Sequence, residues 1–550
     1  MVPVVIRSMV SMKWFVWLPD CIIILAVCMF FVPCKALAGT YYVSSSEGKD
    51  GNAGTTSAAP WKTLKKVGSS AFVPGDRIVL KRSDVWHESL VFASSGAQGK
   101  EIVISAYGEG KNPLINGSTV VDRWVPSGVG VYASQYNGSC NGLLEDSKPL
   151  KRASSQALGD GRWFFDGSTI YYRPTAGTPS GRLVERCARG SLLHIKEQKH
   201  IVIEGITFYG ANSYGIRIID GSDIVIRNCR IASNGQDGIS LQRARPELKC
   251  ARIRMIGNTL EYNANGIYIT GKEDGFKSDG YDHSEIKGNT IAYTNHENAW
   301  EHATKDGHAI GIQNSSFCRI EGNTITANYS GIALWTSDLY QSQGNVVTRN
   351  YVTDNHLYGI VHGANGKNNS WGHVFSFNII ANNGHWPGQW GGLRVNRVQE
   401  KGNRYFNNTL YNNDINIYLY SFPDHHVIRS NVSLDPVRYH VWLDNSAGKH
   451  NVLDNNCYFS KKTDTFYARV QGGVSFAQWK SRTGQDRASV FSSAGLPVRH
   501  PRRPEHYCLG EWSPCNRKIG KEKTSAPAKD FFGNNISDAL GAGACFLSRD

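Results

Sequence analysis

Long apolar runs are scarce in this 550-residue chain, and their scarcity argues against the alternative of a membrane anchor. The run from Cys21 to Val32 is closed off by Pro19 and Asp20 before it and by Pro33 after it, which leaves too short a span. An excess of acid is also missing: 60 Lys and Arg stand against 46 Asp and Glu, a formal charge of +14. Cysteine does not come in matched numbers either. Removing Cys21, Cys28 and Cys34 from the 12 leaves an odd set, so complete pairing is excluded. Cys508 with Cys515 and Cys140 with Cys187 are the pairings considered, although spacing does not decide connectivity. Cys229 and Cys318 fall on apolar template positions and read as small buried residues. Sustained helical periodicity is absent from the central region, so the architecture has to come from strands.

What the N-terminus does carry is Lys13, the short apolar run and Ala36-Leu37-Ala38 before Gly39, the order of a secretory leader. Residues 1–38 are expected to be a signal peptide, with Met9 or Met12 as alternative starts, and the mature protein to be secreted, periplasmic or extracellular. Cys34 suits a lipoprotein, but Pro33 directly before it argues against that reading. Loss of Arg7, Lys13, Lys35 and Asp20 with the leader still leaves a basic protein, suited to an acidic partner rather than to nucleic acid once it is exported.

From about Ile201 to Phe459 one phrase recurs: "IVIRNCRIASNGQDGISL" at 224–241, "IRMIGNTLEYNANGIYIT" at 253–270, "CRIEGNTITANYSGIALWT" at 318–336, "NVVTRNYVTDNHLYGIVHG" at 345–363 and "NRYFNNTLYNNDINIYLY" at 403–420. The template is an apolar pair, an Asn, a β-branched pair, a second Asn, then Gly-Ile-x-apolar. Its period of roughly 20–30 residues identifies a solenoid of stacked coils. Short alternating runs rich in Ile and Val, separated by Asn and Gly, predict strands. An Asn ladder through Asn228, Asn258, Asn289, Asn323, Asn350, Asn378 and Asn407 is expected inside one corner. The pattern resembles the right-handed parallel β-helix of the pectate lyase-like superfamily, in its secreted carbohydrate-active branch. The resemblance covers about residues 40–460 and implies an all-β, single-stranded solenoid with an N-terminal capping helix and long loop insertions.

Five segments follow. After the leader, residues 39–118 hold the N-terminal cap and first coils, with a short helix expected to contain Trp61 and Leu64 and to cover the open end. Residues 119–185 break the repeat, and "RWFFDGSTIYYRP" reads as a hairpin excursion whose Arg162, Trp163, Tyr171 and Tyr172 serve either sugar binding or packing. Residues 186–460 are the β-helix repeats. Residues 461–550 form a C-terminal capping segment with a basic loop, a helix near Phe476 and Trp479 that ends near Gly484, and a closing "KDFFGNNISDALGAGAC" phrase that resembles the ending of secreted β-helix proteins.

Chemistry is expected where the repeat is interrupted, at 271–285, 295–308 and 383–392, because loops on a rigid scaffold carry function. Aligning the repeats puts Asp237, Asn265, His308, Ser330 and Tyr358 in one column. Tyr268, Gln313, Trp335 and Arg394 fall on the outward positions beside it, and His362 on an inward one, joining the row only if its coil is distorted. Aromatic rings stack on sugars and Arg pairs with a uronate carboxylate. The substrate contacts expected are therefore Tyr268, Gln313, Trp335, His362 and Trp390, on a polysaccharide, most simply an acidic one, bound by a monomer.

Two reactions fit. β-Elimination or C5 epimerisation needs a base and a cation for the carboxylate, roles open to Lys305, His308, His283, Tyr281 and Arg394, with Ca²⁺ held by Asp279, Asp282 and Asp306. Hydrolysis needs two carboxyl groups, from Asp237, Glu301 and Asp306. The "SDGYDHSE" phrase faintly resembles mannuronan epimerases but lacks their Pro. The Asn-x-Asp, Asp-Asp and Gly-His-Gly phrases of polygalacturonases are absent. Lysis is the first expectation, hydrolysis the second, and epimerisation or binding without catalysis stay open. Asp237 has an ordinary role available as a corner residue and Trp386 and Trp390 as loop packing, while His296 and His302, six residues apart on one loop, could converge on a transition metal.

Overall fold

The computed structural model describes residues 37–545 except 246, 249, 271–279, 296–306, 339, 366–368, 386–390, 399–401, 422, 445–449, 463, 469–471, 497–500, 511–512, 516–528 and 535–541. All but the last two residues of the expected leader lie outside the described residues. Among the described residues no helix is long and apolar enough to cross a membrane.

Three 13-stranded sheets make the body, and each strand pairs with the strand one coil away. One sheet runs from Thr40–Val43 to Val452–Asp454, a second from Val85–Trp86 to Val490–Phe491. The third, which carries the candidate site, runs from Leu90–Phe92 to Gly472–Val474. Apart from the final antiparallel pair in the third sheet, the ladders are parallel. This is the parallel β-helix that the repeat predicts.

The alternation of the template explains the core. Ile226, Met255, Ile286, Ile320 and Val347 stack in register on the first sheet, every one buried. On the third sheet Leu241, Ile269, Ile312 and Leu334 do the same. Each such side chain contributes about 1.5–3 kcal/mol on burial, so a coil gains stability only when another coil covers it.

The corners are set by Asn. Asn258, Asn289, Asn323, Asn350, Asn378, Asn408, Asn431 and Asn456 form a ladder in which each side-chain amide donates to the next Asn oxygen at 2.9–3.2 Å. The expected ladder was displaced at both ends: Cys229 takes the position assigned to Asn228, and Asn408 that of Asn407. The residue before each rung is left-handed, and Asn228 and Asn407 fill that place with φ of 52°. A second ladder runs through Asn328, Asn355, Asn383 and Asn413.

At the N-terminal end a one-turn helix spans Leu64–Gly68 with Thr63 as its N-cap. Leu64 lies in it as expected, whereas Trp61 precedes it and bridges to Val43. Between Ser118 and Cys187 the chain leaves the coils and builds two small sheets of its own. Trp163 and Tyr172 are fully buried there, so both pack the excursion. Toward the other end the helix Phe476–Thr483 stops at left-handed Gly484 and buries Trp479. Among the described residues the disulfides are Cys457–Cys515 and Cys508–Cys545. Both sequence pairings are thereby corrected: Cys508 and Cys515 each bond elsewhere, and Cys140 and Cys187 are free and buried.

Candidate functional site

On the outer face of the third sheet the strands Asn265–Thr270, His308–Gln313, Ser330–Thr336, Ile360–Ala364, Leu393–Asn396 and Ile415–Tyr420 lie side by side. Register puts Tyr268, Gly311, Ala333, Val361, Arg394 and Tyr418 in one row at a rise of about 4.8 Å per coil. Gln313, Trp335, Gly363, Asn396 and Tyr420 form the row beside it. The middle of both rows is small, and the bulk stands at the ends. The result is a depression of about 340 Å³ lined by Tyr268, His308, Gln313, Trp335, Tyr358 and Arg394 among others.

Two glycines are required by close approach. A Cβ on Gly311 would meet the Tyr268 ring at 2.5 Å, and one on Gly363 the Trp335 ring at 2.1 Å. Each aromatic therefore lies flat over the backbone of the next coil and presents a half-buried face to the depression.

His308 sits at the wall with 8% of its surface exposed. Its Nδ1 shares a hydrogen bond of 3.1 Å with the Tyr358 hydroxyl, and its backbone N–H donates to Asn265 Oδ1 at 2.9 Å. Asn265 Nδ2 donates in turn to Asp237 Oδ1 at 3.0 Å. The Tyr268 ring is parallel to the imidazole at 6.1 Å, and its hydroxyl accepts from Gln313 Nε2 at 2.8 Å. When Tyr358 donates to Nδ1, the His308 proton sits on Nε2; with the opposite polarity Nε2 is a bare base. The pair can thus relay a proton between a phenol and an imidazole.

At the other end Arg394 is buried to 8% exposure, its guanidinium 4.8 Å from the Tyr420 ring centroid and 5.7 Å from that of Tyr418. Such stacking holds a desolvated cation for about 0.5–2 kcal/mol per contact. Burial pushes the Tyr418 phenol up, against the opposing charge of Arg394, so Tyr418 stays protonated. The arrangement offers a fixed positive charge facing a proton-transfer pair across a depression the size of a small-ligand site.

The structure brings together Tyr268, His308, Gln313, Trp335 and Arg394. Lys305, Asp306, Glu301, Trp390 and Asp279 lie outside the described residues, as do His296, His302 and Trp386. Asp237 begins its strand beside this cluster, buried and paired in register with Asn265. Asp282 Oδ1 accepts from the Ser316 backbone at 2.7 Å, so that oxygen stitches a corner.

His362 is a correction. It lies in the solenoid interior, where Leu334 and Val395 are its neighbours in register, and it touches no groove. Its Nδ1 bonds Tyr405 Oη at 2.6 Å and its Nε2 bonds Ser370 Oγ at 2.8 Å, which satisfies a polar ring where the row is otherwise aliphatic. Burial holds its pKa well below the ordinary 6.5, so it is neutral. Tyr358, Tyr418 and Tyr420 were not singled out as site residues. The alternation that marked Arg394 as outward carries the signal for Tyr418 and Tyr420, and the His308 column carries it for Tyr358.

Residues 104–281 and 191–383 match the family model described as "Right handed beta helix region". A stretch of 137 residues is 31% identical to a lacto-N-biosidase of Bifidobacterium longum subsp. longum, covering 23% of this chain and 9% of that protein. Among solved structures, the complex of XylC with xylose superposes with a TM-score of 0.57 at 14% identity, over 93% of this chain and 98% of the other. A glycoside hydrolase gives 0.52 at 13% identity, over 76% and 96%.

Proposed function

Because the chain belongs to the right-handed β-helix family, we propose that its groove acts on a polysaccharide containing uronate residues and cleaves it by β-elimination. The observation that carries this reading is the lining of one depression by Arg394 and the hydrogen-bonded His308 and Tyr358 pair. Arg394 pairs with the uronate carboxylate and stabilises the enolate-like charge that grows when the neighbouring proton leaves. One member of the pair accepts that proton. The electron pair of the broken C–H bond becomes the new double bond, the bond to the glycosidic oxygen breaks, and that oxygen takes a proton. Tyr268 and Trp335 supply faces for sugar rings, and Gln313 a hydrogen-bonding amide. Lys305 is kept as a further base.

Hydrolysis is the second reading, favoured by the local similarity to a lacto-N-biosidase, a protein of which the matched stretch covers 9%. It calls on Asp237 with Glu301 and Asp306. Asp237 is held against Asn265, which suits an orienting role better than attack. Ca²⁺ through Asp279 and Asp282 is kept as a second source of positive charge in lysis, apart from Arg394. Export fits the two disulfides, which persist in oxidising compartments.

The deciding experiment incubates the purified protein with pectate, alginate, glycosaminoglycans and neutral glycans, with and without a calcium chelator, following ultraviolet absorbance and reducing ends together. Rising absorbance establishes elimination. Reducing ends without absorbance establish hydrolysis and sink the first reading; loss of either signal on chelation that added Ca²⁺ restores, and Zn²⁺ does not, shows a calcium requirement.

A further inference from the structure

Away from the groove, the corner that leads from the third sheet to the first brings together Asp424, His425 and His450. Asp424 and His425 precede the strand Val427–Arg429, and His450 precedes Val452–Asp454 in the next coil. Asp424 Oδ1 accepts the backbone N–H of His425 at 2.9 Å and that of His450 at 3.2 Å. Its Oδ2 lies 2.9 Å from His450 Nδ1 and 3.4 Å from His425 Nδ1. The two imidazoles stack with centroids 4.4 Å apart, so their nitrogens point at one carboxylate oxygen.

His425 Nδ1 is a buried atom that lies 3.4 Å from Asp424 Oδ2 and makes no hydrogen bond among the described residues. A cation shared by all three groups would give that nitrogen a partner. Donors around a tetrahedral ion with bonds of about 2.0–2.1 Å stand about 3.3 Å apart, close to the separations of Oδ2 from the two nitrogens. All three ligand atoms lie within 4.8 Å of one another. Two imidazoles and one carboxylate select zinc, copper or nickel over calcium, which prefers all-oxygen sites.

We propose that Asp424, His425 and His450 bind one divalent transition-metal ion, Zn²⁺ being the simplest, which fastens one coil to the next and leaves a coordination position facing solvent beside the exposed His450. The site stands on a corner, away from the residues that line the depression around His308, and does not depend on the reaction proposed there.

The test titrates Zn²⁺ into the full mature chain, stripped with chelator, by calorimetry, and records Tm with and without the ion. One equivalent should bind and Tm should rise, since a ligand that prefers the native state stabilises it. His425→Ala and His450→Ala should each weaken binding at least about 10-fold and abolish the rise in Tm, whereas His87→Ala, at an exposed position elsewhere, should change neither. Tm in chelator reports whether a variant has lost its fold, and Asp424→Asn gives an independent removal of one ligand. Absence of binding, or binding that persists in all three ligand variants, overturns the proposal and in the second case moves the ion elsewhere.

Discussion

Tyr358 Oη meets His308 Nδ1 at 3.1 Å across an intervening coil, because Ser330, buried and in register with His308, is small enough to let the two rings close over it. The contact fixes the direction of the His308 ring, and each ring gives the other a proton partner.

If that pair moves the proton, Tyr358→Phe and His308→Ala should each lower kcat by about 10²–10⁴-fold on the acidic polymer that proves to be the substrate. KM should change much less, since neither residue is needed to hold a sugar. Steady-state kinetics with matched circular dichroism separates loss of chemistry from loss of fold. Equal activity in Tyr358→Phe would remove the relay from the mechanism.

Arg394 carries a different expectation. Its fork is held flat by Tyr418 and Tyr420, so Arg394→Lys keeps the charge and loses the bidentate geometry. A fall in kcat/KM of about 10–100-fold is expected, with Arg394→Ala lower still, corresponding to about 1.5–3 kcal/mol for a charged hydrogen bond. Binding of a carboxyl-reduced polymer, measured by affinity electrophoresis, should be the same in wild type and Arg394→Lys.

Much of this groove was legible before any coordinate, because a strand repeat has a period of two and the template fixes which residues face out. Tyr268, Gln313, Trp335 and Arg394 come from that rule alone. The same rule puts His362 inward, where it meets a sugar only if its coil is distorted; the coil is regular, and the sequence does not show that Tyr405 and Ser370 satisfy the ring. The ladder slipped by one residue at Asn407 because two adjacent Asn both suit a corner, one by its left-handed backbone and the next by its amide. The disulfides depend on how the C-terminal segment folds back along the coils, as in the hydrogen bond of Gly543 N–H to Ser430 O at 2.8 Å, and no local spacing encodes that.

The buried histidines make acid stability predictable. Burial presses His373 down to about 3 and His426 to about 4, while His362 lies well below 6.5 with the charges of its histidine neighbours adding to the effect. The unfolded chain takes up these protons near pH 6.5 and the native protein does not, so stability is full above that pH and falls as pH drops toward 4. Each histidine contributes a slope of about 1.4 kcal/mol per pH unit within its window. His373 accepts from Asn345 N–H and its own N–H donates to Asn403 Oδ1, the position an Asn would take in a ladder. His373→Asn should therefore fold and shed one proton from the acid slope, as read from urea midpoints between pH 4 and 7.

The ladder register gives the sharpest test of the corner chemistry. Asn408 donates through Nδ2 to Asn431 Oδ1 and to the carbonyl of Phe375, both at 3.0 Å, and its Oδ1 accepts from Asn378 N and Nδ2. Asn408→Ala leaves the Phe375 carbonyl and the Asn378 N–H buried without those partners, at about 1–3 kcal/mol for each group. Asn407 instead occupies the left-handed place before the rung, with φ of 52° and its amide reaching Gly543 O at 3.3 Å. Glycine adopts that backbone freely, so Asn407→Gly should cost less than Asn408→Ala, at about 1 kcal/mol for each hydrogen bond lost. Denaturant unfolding of both variants should show a larger loss of stability in Asn408→Ala than in Asn407→Gly. The reverse order would mean that the Asn amides do not hold the coils and that the aliphatic rows alone set their spacing.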